Sequence, residues 1–325
     1  MKILKNIQRV PGGIMVVPMI IGAAVNTFTP QFLKLGSFTT ALFSSAGVAT
    51  LIGATLFFIG TQMRLREAPV ALKRGSVLLL AKFITGAVFA IFVAKTFGLA
   101  GIFGISSLAL LSSMTNSNGG LYMALVGNYG DPPDMAAQSV LNLNDGPFLT
   151  LIVLGASGLA NVPIMSLVAA VVPFIFGIIL GNLDEDIREL MKPGVSVILP
   201  LVGFSLGATI NFLGILKGGP AGLLLALFVL VISGIPAILA DRFINKRPGY
   251  AGAATSSAAG NSIATPAAVA MIDPSYIPYV ESATSQIAAA VIITAILVPL
   301  LTAYIAKRYG CPAFSSIKND PKCQV

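Results

Sequence analysis

Long apolar runs separated by short polar ones make up almost the whole chain. Segments 12–28, 38–62, 75–94, 99–127, 135–160, 162–182, 194–213, 219–240, 250–272 and 282–306 each come near the roughly 20 mostly apolar residues that a transmembrane helix requires. The second, fourth, fifth and ninth are more polar than the rest. The sharpest interruption is "SSMTNSNGGLY", Ser112 to Tyr122, where two asparagines and a glycine pair sit in a stretch bound for lipid. A second interruption, "GNSIATPAAVA" (Gly260 to Ala270), falls in the ninth segment.

Charge converts this pattern into a topology. The 325 residues hold 20 Lys and Arg, 12 Asp and Glu, and no histidine. With the N-terminus in the cytoplasm, Lys2, Lys5, Arg9, Arg64, Arg66, Lys73, Arg74, Arg188, Lys192, Arg242, Lys246, Arg247, Lys307, Arg308, Lys318 and Lys322 all fall on the inner side. Lys34, Lys95 and Lys217 fall outside, and Lys82 lies within a span. That asymmetry is the positive-inside signature of ten helices with both termini cytoplasmic. The net charge of +8 is therefore an orientation signal, not a nucleic-acid-binding face. Cys311 and Cys323 fall in a tail, 310–325, expected to be flexible and cytoplasmic, where thiols stay reduced.

The two halves repeat each other. "VVPMIIGAAVN" (Val16 to Asn26) recurs as "VVPFIFGIILGN" (Val171 to Asn182) at an offset of 155. "FFIGTQMRL" (Phe57 to Leu65) recurs as "FSLGATINF" (Phe204 to Phe212) at 147, and "TNSNGGLYMAL" as "GNSIATPAAVA" at 145. Five helices per half force the second half to run inverted in the membrane, which is a transporter architecture. The reading is an all-α membrane protein: ten transmembrane helices in two inverted repeats, 1–160 and 161–309, with the fourth and ninth helices broken where they cross. Non-helical backbone survives at membrane depth only when buried in protein or lining a wet cavity. Gly119 and Gly120 allow unwinding, Asn118 is placed to cap the helix that resumes, and Thr265-Pro266 reads as an N-cap and first turn. Two half-helix N-termini aimed at the midplane suit an anion.

"RVPGGIMVVPMIIGA", "FFIGTQMRL", "SSMTNSNGGLY", "NLNDGPFLT" and "AAGNSIATPAAVA" resemble the 2-keto-3-deoxygluconate permease family, in order, over residues 1 to 309. The resemblance implies import of that sugar acid by proton symport across a bacterial inner membrane. More distantly the chain is similar to bile acid:sodium symporters and sodium/proton antiporters. This implies a panel domain (helices 1, 2, 6 and 7) and a core domain (helices 3–5 and 8–10). The bile acid symporters carry a glutamate and a glutamine in helix nine for sodium. "AAGNSIATP" has no carboxylate, so those sodium sites do not carry over. Asn116, Ser117, Asn118, Asn261, Ser262 and Thr265 are expected to hydrogen-bond the hydroxyl and keto groups of the substrate.

Ionisable groups within the spans are costly and therefore functional candidates. Asp145 lies roughly 15 Å into the fifth helix, with Gln138 and Asn142 at i−7 and i−3 on one polar stripe. Burial there would let it bind and release a coupling proton near neutral pH. Lys82, about 11 Å into the third span, either snorkels to the interface or faces the cavity as substrate ligand or partner of Asp145. Arg64 reads as an orientation charge, and Asp131 and Asp134 in "GDPPD" as a solvated turn. No histidine or cysteine cluster offers a metal site, no phosphate loop supports ATP drive, and no cofactor is called for beyond a coupling ion, a proton with sodium as the alternative. The other class to weigh is a passive organic-anion channel, since broken helices also build filters.

Overall fold

In lipid only a helix closes every backbone hydrogen bond within its own segment. In the computed structural model, which describes residues 2–7, 13–64, 69–144, 146–161, 164–208 and 212–312, helices follow one another without a strand. The principal ones are α1 (Gly13–Phe28), α2 (Ser45–Thr61), α3 (Pro69–Phe97), α4 (Ser107–Thr115), α5 (Gly119–Tyr129), α6 (Phe148–Ser157), α7 (Ile164–Leu183) and α8 (Gly194–Gly207). After them come α9 (Phe212–Phe228), α10 (Ile235–Phe243), α11 (Tyr250–Ala254), α12 (Thr265–Ile272) and α13 (Ile277–Tyr309). Among the described residues four stretches are long and apolar enough to cross a membrane: Pro69–Phe97, Glu185–Gly207, Gly219–Phe243 and Pro274–Tyr309. Shorter apolar helices occupy Val17–Phe28, Ala46–Thr61, Val172–Leu183 and Asn261–Ile272.

The fourth and ninth segments are interrupted where the sequence placed the breaks. α4 stops at Thr115 and α5 starts at Gly119; α11 stops at Ala254, and a 3₁₀ turn at Asn261–Ala264 leads into α12. The fifth segment, expected as one helix over 135–160, is interrupted as well. Its two parts, Pro132–Asn144 and Phe148–Ser157, meet at 49°. The cause is local: Gly146 has φ +92°, open to glycine at little cost, and Pro147 follows with no N–H to give to a helix.

Close packing depends on glycine. α1 packs on α8 and α2 packs on α7, while α3 lies against α4 and α10, and α9 against α13. A Cβ on Gly22 would come within 2.3 Å of the Phe204 carbonyl oxygen, and one on Gly177 within 2.2 Å of that of Phe57. The second pair behaves alike: Gly207 would meet Met19 O at 2.0 Å and Gly60 would meet Phe174 O at 2.2 Å. Gly22 and Gly177, like Met19 and Phe174, stand 155 residues apart; Phe57 and Phe204, like Gly60 and Gly207, stand 147 apart. A third pair follows the same rule. Gly75 faces Ala137 and Val140, and Gly222, 147 positions on, faces Gln286 and Ala289.

Gly60→Ala and Gly177→Ala are expected to push α2 and α7 apart at a cost of about 1–3 kcal/mol each. Gly127→Ala, where an added Cβ meets nothing within 4 Å, is expected to be neutral or slightly stabilising. Thermal unfolding of the purified variants in detergent checks this contrast.

Candidate substrate crossing

The break in the fourth span is closed by its own side chains. Asn118 caps α5, its Oδ1 accepting from the Leu121 N–H at 3.0 Å, as the sequence led one to expect. Asn116 turns back instead, its Nδ2 donating to the Ser112 carbonyl at 2.6 Å, and it is 1% exposed. Ser117 Oγ accepts from Asn144 Nδ2 at 3.1 Å, tying the break to the interrupted fifth span. The Asn118 N–H donates to Ser257 Oγ at 3.2 Å. The breaks of the fourth and ninth spans therefore touch.

Lys82 is buried completely. Its Nζ donates to the carbonyl of Thr255 at 2.7 Å and to that of Ser257, both just past the end of α11. The snorkelling alternative is thereby corrected: the side chain points inward, because two accepting carbonyls lie there. Thr265 also needs correction. It is the first residue of α12 rather than its cap, Ala264 holds the N-cap position without a side-chain bond, and the Thr265 hydroxyl is fully buried with no hydrogen-bond partner among the described residues.

Ser262 is buried and donates to the Ala259 carbonyl at 2.6 Å. Asn261 is half-buried and its Oδ1 has no partner among the described residues. It faces Thr55, Leu56, Leu199 and Val202 across a narrow crevice that also reaches Gly146 and Pro147. A larger cavity of about 440 Å³ adjoins it, walled by α2, α6, α7 and α12 through such residues as Ala49, Gly53, Leu151, Pro173 and Met271. Of the seven expected substrate ligands, Asn261 alone lines the narrow crevice, and none lines the larger cavity. Asn116, Ser117, Asn118, Ser262, Thr265 and Lys82 lie behind it as the frame of the crossing.

The Gln138–Asn142 part of the polar stripe is present, with Gln138 Nε2 donating to Asn142 Oδ1 at 2.6 Å. The helix ends at Leu141 and tightens into a 3₁₀ turn at Asn142–Asn144, so one helical face does not run the length of the stripe. Asp145 lies outside the described residues. Ser257, Thr255 and Asn144 were missed by sequence reasoning, although the polar run "TSSAAGNS" was visible.

Asp131 and Asp134 form no solvated turn. Asp134 is 1% exposed and pairs with Arg74 at 2.8 Å and with Arg247; the Tyr250 hydroxyl donates to it, and Tyr122 donates to its carbonyl at 2.8 Å. Asp131 pairs with both arginines too. Three segments distant in sequence thus share one ion cluster. Partial burial would raise the Asp131 carboxyl, but the hydrogen bond from Arg74 and the charge of Arg247 hold it below the usual carboxylate range. Burial opposes the Arg247 charge, yet Asp134, Tyr250 and Asp131 raise it above its ordinary value. Near this cluster Asp241, 1% exposed, accepts from Asn245 Nδ2 at 3.1 Å and from the Gly252 N–H at 3.3 Å. Arg64 pairs with Glu185 at 2.8 Å on the exposed surface. Cys311, expected in a flexible tail, is instead a buried free thiol packed with the apolar residues around Tyr250; Cys323 lies outside the described residues.

Asp134→Ala leaves Arg74 and Arg247 with Asp131 as their one carboxylate and removes a buried acceptor from Tyr250; it is expected to cost about 2–3 kcal/mol, measurable by thermal unfolding. Asp131, whose folded pKa is lowered, stabilises the fold above its unfolded pKa of about 3.9 and loses that contribution as pH falls through the folded value. Asp131→Asn is expected to lower the unfolding temperature at pH 7, and the gap from the parent chain should close in acid.

Interrupted apolar spans that meet inside a helical bundle beside an interhelical cavity suit a multi-pass membrane transporter. Residues 4–311 match the family model described as 2-keto-3-deoxygluconate permease. The chain is 50% identical over 308 residues to 2-keto-3-deoxygluconate permease 1 of Salmonella typhimurium (strain LT2), covering 95% of this chain and 96% of that one. It is 42% identical to the 2-keto-3-deoxygluconate permease of Enterobacter sp. (strain 638), over 100% of this chain and 97% of that one. With that of Bacillus subtilis (strain 168) it shares 40% identity, covering 95% and 94%. The chain belongs to the 2-keto-3-deoxygluconate permease family.

Proposed function

We propose that the protein imports 2-keto-3-deoxygluconate across the bacterial inner membrane by proton symport, through alternating access of ten transmembrane helices in two inverted repeats. The observation that carries the mechanism is the contact between the breaks of the fourth and ninth spans, Asn118 N–H to Ser257 Oγ, in a chain of this family. The repeat is supported by the glycine contacts that recur at the sequence offsets. The orientation, with both termini cytoplasmic, is supported by which loops meet. Arg74 and Arg247, both assigned to the inner side by charge, cluster together through Asp131 and Asp134, whereas the Asn161 N–H donates to Asp273 in the loops assigned to the outer side.

On this reading α1, α2, α7 and α8 form a panel, and the remaining spans form a core that carries the substrate past it. Asn261, in the narrow crevice that adjoins the cavity between them, hydrogen-bonds the sugar acid. Asp145, which follows Gln138 and Asn142 in the sequence, takes the coupling proton from outside and releases it inside. Proteoliposome uptake with proton and sodium gradients imposed separately tests the coupling: accumulation driven by the proton gradient is expected, and accumulation driven by sodium alone would replace this reading with a sodium-coupled symporter. Flux that never exceeds equilibrium would indicate a channel.

Asn261→Ala is expected to weaken substrate binding by about 1–3 kcal/mol while leaving the protein folded, as read by calorimetric titration. Asp145→Asn mimics the protonated carboxyl and cannot release. It is expected to lose gradient-driven accumulation while keeping exchange of internal for external substrate.

A further inference from the structure

The crevice and the larger cavity treat the sequence repeat differently. At the crevice, Ile52 and Thr55 of α2 face the same space as Leu199 and Val202 of α8. Ile52 and Leu199 stand 147 positions apart, as do Thr55 and Val202, and this is the offset that relates Gly60 to Gly207. Repeat mates thus line one space from both halves. Halves that run inverted are related by a two-fold axis in the membrane plane, so a space lined by mates lies near mid-depth. The larger cavity has no such balance. α2 lines it with Ala49, Ile52 and Gly53 and α7 with Ala169 and Pro173, but among the described residues none of α8 or α1, the helices that repeat them, borders it.

The asymmetry has a direction. Met271, on the cavity wall, is 43% exposed and stands two positions before Asp273, which accepts from the Asn161 N–H. Its mate at an offset of 145 is Val126 of α5, which is 0% exposed and stands five positions before Asp131 of the ion cluster. One end of the bundle is open between panel and core, and the equivalent end is packed shut. Between the two, about 440 Å³ of cavity narrows to about 10 Å³ at Asn261, the room of one water. The panel is bound within itself by the close approaches of α1 to α8 and of α2 to α7, so the symmetry is broken by where the core sits on it.

We propose that this cavity has a mate, closed in this structure, which opens on the opposite face of the membrane between α1, α8 and α5 when the core shifts along the panel. The repeat offsets, applied to the cavity wall, name its lining. Ala169 and Pro173 give Ile14 and Pro18, Ile52 and Gly53 give Leu199 and Pro200, and Ala268 and Met271 give Met123 and Val126. The structure is then the outward-facing member of a pair. Asn261 meets each cavity in turn, because its crevice lies on the axis that relates them. This deepens the alternating-access reading and rests on it and on the inverted repeat, and it gives the second state named walls.

The test is labelling of single cysteines with a membrane-impermeant maleimide, in the full-length chain with Cys311 and Cys323 replaced by alanine. Ser275→Cys, beside Asp273, and Lys192→Cys, just before α8, are exposed controls that report which face of a vesicle is being reached. Without substrate, Met271→Cys is expected to react from the Ser275 face and Val126→Cys to be nearly inert. During uptake of 2-keto-3-deoxygluconate, Val126→Cys is expected to react severalfold faster, from the Lys192 face only, and Met271→Cys more slowly. Reaction of Val126→Cys from the Ser275 face, or of Met271→Cys from the Lys192 face alone, overturns the proposal and leaves symport standing. So does silence of both Val126→Cys and Met123→Cys while uptake proceeds. If both faces are reactive at once and flux never exceeds equilibrium, the protein is a channel and the alternating-access reading falls with the proposal. If Ser275→Cys reacts from the cytoplasm, the orientation is reversed and the proposal stands. If 2-keto-3-deoxygluconate moves neither probe while gluconate or galacturonate moves both in opposite directions, the substrate reading fails and the proposal stands.

Discussion

A polypeptide that leaves the helix inside a membrane exposes N–H and C=O groups that lipid cannot satisfy, and the rest of this structure is arranged around that debt. The helices break between α4 and α5, before α6, and between α11 and α12, and the first and last of these breaks are answered from within the protein. Asn118 takes an N–H at the start of α5, Asn116 bonds back to a carbonyl in the last turn of α4, and Lys82 covers two carbonyls beyond α11. Side chains that sequence logic would assign to the substrate are thus largely committed to backbone.

The distribution of labour follows. Of the polar residues at the crossing, those nearest the breaks are consumed in holding them, and Asn261 keeps an acceptor without a partner among the described residues, in the narrow crevice beside the cavity. The cavity wall is mostly aliphatic. An apolar wall facing a few convergent polar groups is the usual composition of a small-molecule site, with orientation fixed by the polar minority.

Much of the fold was legible in the sequence because it depends on local signals. Asn118 before Gly119-Gly120 announces a cap, and Pro18, Gly22, Pro173 and Gly177 announce a repeat whose glycines prove to be points of closest helix approach. The break at Gly146-Pro147 was equally local, but the spacing of Gln138, Asn142 and Asp145 suggested an unbroken stripe and outweighed the Gly-Pro signal. Other features had no local signal. The fate of Lys82 depends on carbonyl oxygens, which every residue has. Asp134 depends on Arg74, Arg247 and Tyr250, positions 60, 113 and 116 residues away. A solvated turn and one half of a buried ion cluster read alike until the fold supplies the other half.

That cluster also constrains how the protein is made. Arg74, Asp131 and Asp134 leave the ribosome within the first half of the chain, and Arg247 follows Asp134 by 113 residues. Until then two carboxylates share one guanidinium, and Asp134 lacks its second cation. The joint among these three segments therefore closes late, after Arg247 has emerged. A chain terminated before Arg247 would carry an unbalanced acid where the finished protein has a sealed joint.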